Sequence, residues 1–183
     1  MSTDQPWLAL EKDDAALKVE IEQLLTSRAA GDPYSEDGSF AASIARLPAG
    51  LRAMAATRWL DISLTLDSIT WHFGNFGERG LVAQTEAGLR ELGLDELAHC
   101  FIEAKELMQP LLAQRTEADG DAYEILERAG LYERAKEIDD RASALGNRGR
   151  GDSVIYDAWI RYTREHPDRV FGPATSSPDA TQI

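Results

Sequence analysis

From Ala49 to Phe73 the chain repeats one spacing. Leu51, Ala55, Trp59, Ile62, Leu66, Ile69 and Phe73 follow one another at steps of four, four, three, four, three and four. Only an α-helix gathers such a series on one side, so the segment reads as one long helix with a buried stripe. It stops at Gly74-Asn75-Phe76-Gly77, where two glycines in four residues end helical order. A 3.6-residue rhythm runs through most of the chain, and strand signals are weak throughout. The expected fold is therefore all-α: a single bundle-like domain of seven or eight helices over residues 1–172, with antiparallel neighbours.

Punctuation sets the other helices. The first is expected from Pro6 to Arg28, with Asp4 as cap and Leu10, Leu17, Ile21, Leu24 and Leu25 inward. The turn formers of Gly31 to Gly38 make a loop, and a short helix runs from Ser39 to Arg46. A helix over Leu81 to Leu92 closes at Gly93. Asp95 caps the next, which buries Leu97, Phe101, Ala104, Met108 and Leu111 and is expected to be kinked or shortened by Pro110. Asp121 to Ala129 ends at Gly130. The following helix turns Leu131, Ala135, Ile138, Ala142 and Leu145 inward until Gly146 to Gly151 interrupts it. The last helix starts near Asp152, buries Ile155, Ala158, Trp159 and Tyr162, and ends at His166-Pro167. Residues 173–183 have the composition of a flexible tail.

The 183 residues carry a net charge of −13, and it is unevenly placed. Residues 1–40 hold nine acids against three bases, and residues 86–140 hold fifteen against six. Two blocks thus carry the excess. Such a surface disfavours direct nucleic-acid binding, which needs clustered Lys and Arg, and is repelled by anionic lipid. It favours encounters with basic partners. Hydrophobic content of 43 % with 28 % charged residues suits a globular protein. No run of about 18 apolar residues offers a membrane span. The N-terminal residues lack the basic and apolar regions of a signal peptide, and the lone Cys100 suits a reducing compartment. The expected location is the cytoplasm.

Catalytic patterns are missing. His72, His99 and His166 form no HExxH motif and no i, i+4 pair, and there is no CxxC, so neither a metal nor a cofactor is expected. Cys100, between Leu97 and Phe101, reads as a small buried hydrophobe. Ser68, read as mid-helix, is expected to bond back to a carbonyl. Arg148 and Arg150, among the glycines of Gly146 to Gly151, lack the strand and the GK[ST] of a phosphate loop and read as a connector. Asp61 and Asp67, six apart, face different ways, and Asp139-Asp140 are adjacent, so neither pair suggests acid–base chemistry. The aromatics Trp59, Phe73, Trp159 and Tyr162 read as core. Trp71 and His72, with Asn75 beyond them, are the residues left for an exposed groove.

The acids themselves are better ordered. Glu96, His99, Glu103 and Glu106 share the polar face of the Asp95 helix, and Glu124 and Glu127 lie on the next. Glu133, Glu137 and Asp140 follow at i, i+4 and i+7, forming one acidic ridge, with Arg134 and Lys136 expected to point elsewhere. Carboxylates one turn apart are about 5–6 Å from each other, on the scale of a phosphate backbone. These eight carboxylates are the expected contacts for a basic partner.

Leu47-Pro48-Ala49-Gly50-Leu51-Arg52, Trp59-Leu60-Asp61, Phe73-Gly74-Asn75 and Gly88-Leu89-Arg90-Glu91-Leu92-Gly93 resemble the DNA-mimic protein family, small acidic helical bacterial proteins. The run from Tyr162 to Pro167, closing at Phe171, resembles that family's ending. The family's Asn-Gly-Gly-Phe-x-Gln core is replaced here by Leu66-Asp67-Ser68-Ile69-Thr70-Trp71, with only Phe73 and Asn75 in place. The resemblance implies an all-helical fold, a homodimer, and an acidic surface that binds a DNA-binding regulator in place of DNA. Two rival readings stand beside it: an immunity- or antitoxin-like inhibitor of a basic toxin, and a small-ligand or enzymatic domain built on Trp71, His72, Phe73 and Asn75.

Overall fold

The computed structural model describes residues 10–114, 120–146 and 153–172, and among them it holds ten helices and no strand. The all-α expectation stands. Helix α1 (Asp14–Arg28) begins later than expected, because the Asp13 carboxylate accepts the Ala16 N–H at 2.8 Å and so caps it there. Asp4 and Pro6 lie outside the described residues. Helix α2 (Ser39–Ile44) follows the loop. The long stripe then folds as two helices, α3 (Ala49–Leu66) and α4 (Ile69–Asn75).

The break between them corrects the single-helix expectation. Asp67 leaves helical conformation, and Ser68 becomes the cap of α4, accepting the Trp71 N–H at 3.0 Å. Ser68 therefore does not bond back to a carbonyl. Freed from the α3 axis, α4 turns Ile69, Thr70, His72 and Phe73 into the core, while Leu66 is left 70 % exposed. Ile62 is only half-buried, since α3 instead buries Ala53, Met54, Thr57, Leu60 and Leu64.

Helices α5 (Arg79–Glu91), α6 (Asp95–Leu112), α7 (Ala122–Arg128), α8 (Tyr132–Gly146), α9 (Val154–Glu165) and α10 (Pro167–Phe171) complete the order. Asp95 is the first residue of α6 rather than its side-chain cap, and Pro110 sits in its last turn, where few later N–H groups depend on the helix. Ser153 caps α9; Asp152, Arg148 and Arg150 lie outside the described residues, as do residues 173–183. Helix α10 was not expected. Pro167 stops α9 but is a favoured first residue for a new helix.

One contiguous core joins these elements around α3, which packs on α1, α2, α4, α5, α8, α9 and α10. Gly88 lets α5 close on it: a Cβ there would lie 3.0 Å from the Ala53 carbonyl oxygen. Trp159 crosses from α9, fully buried, and donates its Nε1–H to Thr57 Oγ1 at 3.1 Å. Cys100 is buried among the apolar residues, as expected. Among the described residues no helix is long and apolar enough to cross a membrane.

Candidate partner-binding surface

Helices α6 and α8 pack side by side, so Glu103 on the first faces the polar side of the second. Arg141 grips Glu103 with two parallel hydrogen bonds, Nη1 to Oε1 at 3.0 Å and Nη2 to Oε2 at 2.7 Å. Arg134 adds a third from Nη2 at 3.0 Å and gives Nη1 to Glu137 at 3.1 Å. Lys136 donates to Asp140 at 2.7 Å. Hydrogen bonding from Arg141 holds the Glu103 carboxyl below the ordinary glutamate range.

These pairs correct the picture of a bare acidic ridge. Arg134 and Lys136 do not point elsewhere; they reach the carboxylates three and four residues on, the spacing at which helical neighbours meet. Glu137 and Asp140 are thus matched within the molecule. Glu96, Glu106, Glu127 and Glu133 are exposed and make no ion pair with another described residue. Glu124 folds back over Gly120, occupying the space a Cβ would need there. The eight expected carboxylates therefore divide: Glu103, Glu137 and Asp140 are held in ion pairs within the molecule, and Glu96, Glu106, Glu127 and Glu133 are in none among the described residues, Glu133 feeling only the field of Lys136 three residues on.

Between α6 and α8 lies a depression of about 240 Å3 lined by Glu103, Glu106, Leu107, Arg134 and Ile138. Its apolar side chains suit the methylene stem of Lys or Arg, and its carboxylates suit the charged head. Leu107 and Arg141 are not singled out by the sequence, and Ile138 reads there only as a core residue. Arg141 meets Glu103 across 38 residues, so only tertiary packing brings them together.

The expected groove residues separate. His72 is fully buried, not exposed, because α4 rotates it inward. Its Nδ1 lies 2.9 Å from Ser63 Oγ, while Nε2 has no partner among the described residues. Burial pushes its pKa down to about 3. Trp71 is half-buried. Asn75 donates its side-chain amide to the Trp71 carbonyl at 3.0 Å and lines a separate cavity of about 480 Å3.

A polar network at the α3–α4 break was also illegible in the sequence. The Thr70 N–H and hydroxyl donate to Asp139 at 3.0 and 2.7 Å. The Tyr123 hydroxyl bonds Asp67 and lies 2.9 Å from Ser68 Oγ. Burial raises the Asp139 pKa, and burial with the Asp67 bond raises that of Tyr123 to about 12. These hydrogen bonds fasten α7 and α8 to the break. Among the described residues no cluster of His, Cys, Asp and Glu has the arrangement of a metal site. No protein-family model, no curated protein and no solved structure matches the chain.

Proposed function

We propose that the chain is a cytoplasmic, non-enzymatic binding protein whose α6–α8 face takes a basic protein, a DNA-binding regulator being the class its resemblance to DNA-mimic proteins suggests. The α6–α8 depression carries this reading. It sets the unpaired Glu106 beside Glu103 over apolar residues, which suits an incoming Arg or Lys. Such a side chain would compete with Arg134 for Glu103, so binding exchanges one charge pair for another. Glu96, Glu127 and Glu133 add long-range attraction, and the net charge of −13 steers the encounter.

Affinity capture from native lysate at low and high salt tests it. The expected result is a basic protein retained at low salt and released at high salt, because exposed charges are screened beyond roughly 8 Å at physiological ionic strength. Captured proteins that are neither basic nor salt-sensitive would contradict it.

A further inference from the structure

The 480 Å3 cavity lies where the loop before α2, the turn after α4 and the end of α6 converge. Volumes of about 300–1,000 Å3 are typical of small-molecule sites. Leu112 supplies apolar lining, and Phe73 borders the cavity with its ring turned into the core. Tyr34 lines it too, and although 56 % exposed its ring is braced at 4.7 Å on Phe76.

Three charged residues line the same space, and they are not equivalent. Glu78 is committed: its carboxylate accepts the Gly80 and Leu81 N–H groups at 2.8 and 2.7 Å and closes the start of α5. Glu36 and Arg79 are both exposed, and neither forms an ion pair with the other or with any other described residue. Arg79 is thus free to meet an incoming anion at the cavity. Arg79 suits a carboxylate, and Glu36 suits an ammonium group. A ligand with only one charge would attract one of them and be repelled by the other. Asn75 adds its Oδ1, since its amide nitrogen is already donating to Trp71.

We propose that this cavity binds a small zwitterion of the amino-acid class, with its carboxylate on Arg79, its ammonium on Glu36 and an apolar side chain against Leu112 and Tyr34. The site uses no residue of the α6–α8 depression and does not rest on the reading of that face.

Titration of the 15N-labelled full chain by NMR tests it, with L-phenylalanine, L-leucine and L-methionine as probes. Phenylacetate, which lacks the ammonium, and phenethylamine, which lacks the carboxylate, are the controls. At least one amino acid is expected to shift the Gly74, Asn75 and Gly77 amides saturably, with each control about tenfold weaker or more. R79Q and E36Q are each expected to weaken that amino acid about tenfold. Both side chains are exposed, so the variants retain the fold. The proposal is overturned if no amino acid gives a saturable shift, if a control binds equally well, or if both variants bind like the parent.

Discussion

Acidification from pH 7 to pH 4 is expected to remove about 3 kcal/mol of folding free energy through His72 alone. The Ser63 hydroxyl donates to the Trp59 carbonyl at 2.8 Å, so Ser63 Oγ accepts the Nδ1–H of His72. That leaves Nε2 as a bare lone pair in the core, with the rings of Phe76, Phe73 and Phe101 centred 5.2 to 5.7 Å away. A proton on Nε2 would bury a charge with nothing to accept its hydrogen bond. Burial accordingly depresses the folded-state pKa from 6.5 to about 3. Between those values the unfolded chain binds a proton that the folded chain refuses. The contribution is complete above about 6.5 and is lost progressively as the pH falls towards 3.

Asp61 and Asp139 work in the opposite sense. Burial raises both, so the folded state holds their protons more tightly and acid returns stability through them. The His72 contribution is isolated by urea unfolding of the parent and H72F at pH 7, 5.5 and 4. The parent should lose about 3 kcal/mol more than the variant between the extremes. Parallel pH profiles would refute the assignment.

Truncating Trp159 to Ala is expected to cost about 3–5 kcal/mol, a large share of the 5–15 kcal/mol that holds a typical domain together. The indole is fully buried, packs at 4.5 Å on Tyr156, and links α9 to the central helix α3. Thr57 keeps its own bond to the Ala53 carbonyl at 2.8 Å, so the loss comes mainly from the cavity left behind. W159F retains an aromatic ring and loses the N–H donor; it should cost about 1–2 kcal/mol. Urea midpoints followed by helical circular dichroism separate the two variants. A W159A midpoint close to that of W159F would show that packing is not the main contribution.

Helix existence was legible because burial on one side of a helix writes a 3.6-residue rhythm, and glycine or proline ends it. Gly93 and Gly130, both in left-handed conformation, end their helices where the pattern stops. The α3–α4 break was harder, since the spacing of Ile62, Leu66, Ile69 and Phe73 continues straight through it. Its one signal in the sequence is Asp67-Ser68, which interrupts the apolar stripe with a strong cap. Missing that break also misplaced His72, whose side of the helix depends on where α4 starts. On the charged face, Lys136–Asp140 and Arg134–Glu137 follow from local spacing alone. Glu103 with Arg141 does not, because that pair depends on how α6 meets α8. Nothing in the sequence signals that Tyr34, Glu36 and Arg79 share one cavity, since they belong to segments joined only by folding.

The proposed binding depends on the division between carboxylates that are ion-paired within the molecule and those that are not. Two double variants test it at equal cost in charge. E106Q/E133Q removes two unpaired acids, and E137Q/D140N removes two that Arg134 and Lys136 already neutralise. Titration calorimetry with the basic partner recovered by capture compares them at one ionic strength. E106Q/E133Q is expected to weaken binding about tenfold or more, while E137Q/D140N changes it by less than about threefold. Equal losses from both would mean that only net charge matters, and a larger loss from E137Q/D140N would mean that the ion-paired carboxylates are the ones a partner meets.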